Sequence, residues 1–213
     1  MDIVTSLKQL SNSRKVFHSE ADFQFALAWE IQKLYPDARI RLEYCPASIT
    51  PNIHIDILVI IDNMYYPIEL KYKTLGCNKT FEDEVFKLKN HGAQDLGRYD
   101  FLKDVQRVEQ FSKELPRFKA GYSIFLTNDQ SYWKDSGRKE TVYYQFRLSE
   151  GLEKAGIMCW ASHSGEGTIK GRETPIALDY KYTVKWEQYC KLDDSRGGTF
   201  NYLVFPLEKD HNL

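Results

Sequence analysis

The sequence predicts an α/β protein with a mixed central β-sheet flanked by helices and extended by extra C-terminal strands. Three observations predict it. An amphipathic helix opens the patterned part of the chain, β-branched segments follow it as a hairpin, and a long second helix separates that hairpin from another buried strand. Strand, crossover helix and strand is the order that yields parallel pairing. At 213 residues the chain suits one good-sized domain and is short for two, so residues 1–213 are read as a single domain.

Between His18 and Tyr35 the apolar residues Phe23, Leu27, Ile31 and Leu34 recur at spacings of four and three, which marks one helical face. Ser19-Glu-Ala-Asp22 matches a capping box, and Pro36 ends the helix because the residue before a proline disfavours the α region. Glu20, three residues before Phe23 and seven before Leu27, projects from the stripe that packs inward, an odd place for a carboxylate. Arg39–Tyr44 alternates charged and apolar residues and reads as a strand with one solvated face. Ile53–Ile61 is β-branched throughout its centre and reads as a central strand. Met64–Tyr72 follows the turn pair Asp62-Asn63 and closes a hairpin, with Pro67 suggesting an edge or a bulge. Residues 76–93 form a polar excursion with a short strand at Val85–Leu88. Asp95 is the expected N-cap of a helix running to about Leu115, with Leu96, Tyr99, Leu102, Val105 and Val108 on its buried face. Ala120–Thr127 is a buried strand expected to lie parallel to that of Glu69. Further strands are expected at Val142–Leu148, Ile157–Trp160, Ile176–Trp186 and Phe200–Phe205, extending the sheet or folding over one end of it.

Composition narrows the function classes. With 29 Lys+Arg against 30 Asp+Glu the net charge is −1, so no basic domain advertises a nucleic-acid partner by charge alone. The longest aliphatic run, Ile57–Ile61, is far short of the roughly 20 residues of a membrane span, so no membrane partner is expected. The N-terminal stretch lacks the apolar core of a signal peptide, and the expected location is cytoplasmic. Cys45, Cys77, Cys159 and Cys190 are scattered without a Cys-x-x-Cys or Cys/His cluster, which suggests neither a zinc site nor a disulfide framework. The 14 Tyr, 12 Phe and 4 Trp can fill a β-rich core or stack on bases.

The hairpin carries the chemistry. If Asp62-Asn63 is a two-residue turn, Ile61 pairs with Met64 and every cross-strand pair has numbers summing to 125. Asp56 then faces Glu69, and His54 faces Lys71. Side chains alternate, so Asp56, Glu69 and Lys71 share one face while Ile55, Ile57, Val59, Ile68 and Leu70 share the other. Like charges opposite one another destabilise a hairpin, and a divalent cation held by both carboxylates would compensate. Lys71 would then orient or deprotonate a water and neutralise developing phosphate charge. The competing reading is a solvated charged face on which Lys71 simply pairs with Glu69. Glu69-Leu-Lys71 is the only Glu-x-Lys in the chain, but chance alone would supply one at this composition. Its interest lies in its place on a strand beside Asp56.

The order of a helix with Glu20, a strand, Ile-Asp56, Pro-Ile-Glu69-Leu-Lys71, a helix and a strand resembles the restriction-endonuclease-like PD-(D/E)xK nuclease superfamily. The resemblance covers the core, residues 18–128, and leaves 129–213 as a β-rich, aromatic extension of the same domain. It implies Asp56 and Glu69 as ligands of Mg²⁺ or Mn²⁺, Lys71 as the catalytic lysine and Glu20 as an accessory metal-binding carboxylate. It also implies hydrolysis of phosphodiesters in nucleic acid, DNA above all, and a homodimer as one assembly such enzymes use. Ile55 stands where the motif has proline. Gln94 and Tyr99 are one residue too far apart for the Gln-x-x-x-Tyr motif of some members, so Gln94, like His54, is an accessory candidate with capping, solvent or structural alternatives. Asp104 and Arg107 read as a solvated helix face or a phosphate clamp. Asn128, Asp129, Tyr132 and Trp133 read as packing and turn residues or a substrate loop, and Lys73, Arg138 and Lys139 as possible phosphate contacts. Two other functions fit the same residues: a catalytically inactive module of this fold that binds nucleic acid or protein, and a metal-dependent hydrolase of small phosphate esters.

Overall fold

The computed structural model describes residues 1–47, 53–138 and 140–209. Its centre is a six-stranded mixed sheet in the order β1-β2-β3-β6-β10-β9, with four α-helices among the described residues. The first of these, α1 (Ile3–Ser13), was not anticipated. Its signals are short but present: Asp2 accepts from Thr5 N, and Ile3, Leu7 and Leu10 fall on one buried stripe. Helix α2 (Glu20–Leu34) begins as its capping sequence predicts, with the Ser19 side chain accepting from Asp22 N. The reciprocal bond lands one residue earlier, because the Asp22 carboxylate accepts from His18 N and takes the Arg14 guanidinium as well.

Strands β1 (Arg39–Tyr44), β2 (Ile55–Ile61) and β3 (Met64–Lys73) form an antiparallel meander. Asp62 and Asn63 both adopt left-handed φ, 50° and 61°, the conformation of a two-residue hairpin turn matched to strand twist. The pairs Ile57↔Ile68 to Ile61↔Met64 follow the expected register. A small hairpin, β4 (Cys77–Phe81) and β5 (Glu84–Leu88), precedes α3 (Gln94–Glu114). Asp95 is not the cap of α3. Ala93, in the left-handed region at φ 56°, occupies that position and contributes no side-chain bond. Strand β6 (Ala120–Thr127) then pairs in parallel with β3, Ile68↔Tyr122 through Lys73↔Thr127.

Beyond β6 the expected strand at Val142–Leu148 is a 3₁₀ turn at Tyr144–Phe146. Hydrophobicity put Phe146 and Leu148 in the core without requiring an extended chain. The segment expected at Ile157–Trp160 begins earlier, as β7 (Glu153–Met158), and pairs with β8 (Ile176–Thr183) as a separate two-stranded sheet. Between them lies the four-residue helix α4 (Glu166–Ile169). Ile176–Trp186 is therefore not one strand: the chain leaves β8 at Thr183 and starts β9 (Trp186–Lys191) in the main sheet. Strand β10 (Thr199–Glu208) lies between β9 and β6.

Each face of the sheet is covered. On one, Ile57, Val59, Ile68, Leu70 and Tyr72 pack against α1 and α2 through Leu7, Leu10, Phe23, Leu27 and Ile31. On the other, α3 packs Phe101, Leu102 and Val105 against Phe125, Leu203 and Phe205, and Val108 and Phe111 against Leu58. Burying each such side chain contributes about 1.5–3 kcal/mol. Many of the aromatics are core residues, Phe125 alone meeting Phe101, Tyr132 and Trp186. Among the described residues no helix is long and apolar enough to cross a membrane, and the four cysteines are free thiols.

Candidate functional site

The α3 face of β3 presents Glu69 and Lys71, placed there by the alternation of side chains along a strand whose other residues, Ile68, Leu70 and Tyr72, fill the opposite core. Neither faces solvent as a surface charge would. Glu69 is 1% exposed. Nor do they pair with one another. Glu69 Oε2 accepts from Arg107 Nη2 at 2.5 Å, and Lys71 Nζ stands 3.0 Å from Asp104 Oδ2. Arg107 also reaches Asp104 Oδ1 at 2.6 Å. Asp104 is 2% exposed, so the solvated-face reading of these two α3 residues is overturned: they close over the sheet as an alternating charge network.

Asp56 does not lie directly across from Glu69. The ladder between β2 and β3 stops at Ile57↔Ile68, and β1 skips the same level, pairing Leu42↔Ile57 and Tyr44↔Ile55 around Glu43, which has φ 51°. Here β2 peels away and leaves the edge of β3 open. Two carboxylates take over: Asp56 Oδ2 accepts from Leu70 N and Glu20 Oε2 from Tyr72 N, each at 2.6 Å. The inward aim inferred for Glu20 thus has a concrete target, although the residue itself is exposed. Gln24 of α2 ties down the fork, donating to Asp56 O and to Glu43 Oε1, both at 2.7 Å. The peeling also turns Ile55 away from the Ile57 face, and it packs with Leu58 under α3.

The electrostatics follow from burial. Desolvation pushes the Asp56 carboxyl up to about 6 against the pull of the Leu70 hydrogen bond, with Asp104 adding to the rise. Desolvation likewise raises Glu69 well above the carboxylate range despite Arg107. Burial opposes the charge on Lys71, but Asp104 and Glu20 outweigh it and the ammonium is held more tightly than usual. Glu20, Asp56, Glu69 and Asp104 interact with Lys71 and Arg107, and these six groups, if all ionised, carry two surplus negative charges. Among the described residues Glu69 Oε1 is buried without a hydrogen-bond partner. Among them no group of three or more His, Cys, Asp or Glu is placed so that it could hold a metal ion.

The accessory candidates fall outside this cluster. His54 is exposed, and its Nδ1 lies 3.1 Å from Glu43 O. It does not face Lys71, because the ladder that would bring it there has ended. Gln94 donates to Asp129 Oδ2 at 3.0 Å, away from Asp56 and Glu69. Asn128 is a structural clasp, accepting from Leu75 N and donating to Gly197 O, and Tyr132 is buried. Lys73 ends β3, Arg138 is exposed, and Lys139 lies outside the described residues. Asp104 had a signal in the sequence: it sits four residues before Val108 and seven before Phe111, the same inward placement that singled out Glu20. Gln24 and Glu43 had none, since their role depends on the fork. Comparison with protein-family models and with curated proteins finds no match to this chain.

Proposed function

We propose that the chain is a metal-dependent nuclease of the restriction-endonuclease-like kind, hydrolysing phosphodiester bonds of nucleic acid, DNA in the first instance, at the β2–β3 fork. The observation that carries the reading is the buried Glu69 oxygen, which has no hydrogen-bond partner among the described residues and lies in a cluster where carboxylates outnumber cations. Burial of such groups costs several kcal/mol unless something pairs with them. A divalent cation suits that donor set. Mg²⁺ typically takes one or two carboxylates and completes its shell with water and substrate phosphate, so Asp56 and Glu69 would suffice to hold it, with Glu20 as an accessory carboxylate. When bound, Mg²⁺ or Mn²⁺ supplies Lewis-acid polarisation of the phosphoryl oxygen and a more acidic water. Lys71 is a donor here and no base, because Asp104 holds its proton. It orients water and offsets charge developing on the phosphate. Arg107 positions Glu69.

Purified protein with Mg²⁺ or Mn²⁺ is expected to cut single- or double-stranded DNA or RNA, and Lys71→Ala is expected to lose that activity. Equal cutting by wild type and variant would assign it to a contaminant and remove the proposal. A second reading, an inactive module of this fold, is favoured by one observation: Asp56 and Glu20 already serve β3 as hydrogen-bond acceptors, and α3 already pairs Glu69 and Lys71. Calorimetry with Mn²⁺ separates the two, since the module binds none at millimolar concentration.

A further inference from the structure

A second charged site lies on the far side of α3, beyond the carboxyl ends of the parallel strands β3 and β6. Arg98 is 5% exposed and lies between two aromatic rings, its guanidinium carbon 4.9 Å from the centre of Tyr132 and 4.7 Å from that of Tyr143. Among the described residues its only hydrogen bond goes to Ser131 O, and its Nε is buried with no acceptor. A buried arginine with five N–H groups and one bond is far from satisfied. It lines a concavity of about 260 Å³, together with Lys134, Asp135, Arg147 and Arg196. Arg147 is held over the Tyr144 ring and bonded to the exposed Asp135, and its Nε too has no acceptor. Asp129, the other acid in the wall, has both oxygens occupied, by Gln94 and by Ser131 N. Four cations against two carboxylates leave two surplus positive charges. Gln130 and Arg196 also line a neighbouring concavity of about 310 Å³ whose wall includes Trp133.

We propose that the Arg98–Arg147–Arg196 concavity binds a phosphate monoester, and that its source is the phosphorylated end of a nucleic-acid strand whose terminal base lies toward Trp133. The charge argues for a monoester: near neutral pH it carries about −1.5 to −2, matching the surplus, whereas a diester within a strand carries one charge. Arginine forks suit phosphate oxygens bidentately, and an aromatic wall accepts any base by stacking. The strand end as source rests on the nuclease reading. The phosphate chemistry does not.

The test uses the full chain in EDTA, so that no cutting intervenes. Fluorescence anisotropy compares short single-stranded oligonucleotides bearing a 5′-phosphate, a 3′-phosphate or neither, with inorganic phosphate and a mononucleotide as competitors. One phosphorylated end is expected to bind about tenfold tighter than the bare strand, with inorganic phosphate competing. Arg196→Ala, an exposed substitution that leaves the fold alone, is expected to shrink the preference to about twofold or less. Arg98→Lys, with its thermal unfolding followed in parallel, checks the buried anchor and is expected to weaken the preference in folded protein. Equal affinity for all three strands, with no competition by phosphate, overturns the site. A mononucleotide binding as tightly as the phosphorylated strand overturns the strand end as source. An end preference without cutting in Mg²⁺ removes the nuclease reading and keeps the pocket, and cutting without end preference or phosphate competition does the reverse.

Discussion

Two glutamates are buried in contact with the same helix and held in opposite ways. Glu109, on α3, is 2% exposed and accepts from Asp179 N, Tyr180 N and Tyr182 Oη at 2.8, 3.2 and 3.0 Å. These bonds fasten β8 to the helix. Glu69, on β3, is equally buried, yet one of its oxygens meets Arg107 and the other has no hydrogen-bond partner among the described residues. A carboxylate saturated by backbone and hydroxyl donors is a structural fastener. One left short of donors among other carboxylates is a candidate functional group.

The largest expected effect tests that contrast at Glu69. Glu69→Gln keeps the shape, removes a charge that Arg107 offsets only in part, and is expected to reduce the proposed Mg²⁺-dependent cutting by about 10²–10⁴-fold, or roughly 3–5 kcal/mol in the barrier. Its urea midpoint is expected to stay the same or rise. Glu109→Ala should behave in the opposite sense, losing about 2–4 kcal/mol of stability because three donors lose their acceptor, with activity of the remaining folded protein retained. If Glu69→Gln unfolds as readily as Glu109→Ala, the two glutamates are fasteners alike and the contrast is wrong.

What the sequence could reveal of this arrangement follows from the range of the interactions involved. The Asp62-Asn63 turn, the Ser19 cap and the alternation through Glu69 and Lys71 are local, and each was legible. The parallel pairing of β3 with β6 was legible too, from element order. The fork was not, because it depends on a left-handed Glu43 in β1 and a glutamine reaching across from α2. Hence the register held from Ile57 to Ile61 and failed at Asp56 and His54, the positions that mattered most. The partners of Glu69 and Lys71 were hidden for a similar reason. An Asp-x-x-Arg on a helix reads as surface until the strand beneath it is known to carry the complementary charges.

Asp56 gives a third, smaller effect with a definite pH dependence. Burial pushes its carboxyl up to about 6, while aspartates of the unfolded chain titrate near 3.9. In metal-free buffer the native state therefore binds the proton more tightly. The stability this confers is full below about pH 4 and is lost as pH rises through about 6, and at pH 7 the ionised group is a net cost. Asp56→Asn, whose amide oxygen can still accept from Leu70 N, is expected to raise stability by about 1–2 kcal/mol at pH 7 and by nothing at pH 4. Saturating Mn²⁺ should stabilise the wild type and leave the variant unmoved. A variant less stable than wild type at pH 7 would make Asp56 another fastener, like Glu109.

The contrast has a cationic counterpart, and there the smallest effect is expected. Lys71 is buried beside Asp104 and keeps its charge, whereas Lys154 is 5% exposed with Nζ donating to Gln145 O at 2.9 Å. Burial, with Arg147 nearby, lowers Lys154 to about 8. An unfolded lysine titrates near 10.4, so between these values the native state binds fewer protons. The contribution of Lys154 to stability is present above about pH 10 and lost as pH falls through about 8, leaving a charged, uncompensated ammonium at pH 7. Lys154→Met removes that cost and gives up one hydrogen bond, for an expected net gain of about 1 kcal/mol at pH 7 that shrinks by pH 10. Lys71→Met should gain nothing at any pH in that range, because it leaves Asp104 buried opposite an apolar side chain. Thermal unfolding of both variants at pH 7 and pH 10 checks the pair. A destabilised Lys154→Met would mean that this lysine has a counter-charge, as Lys71 does, and that burial alone does not distinguish the two.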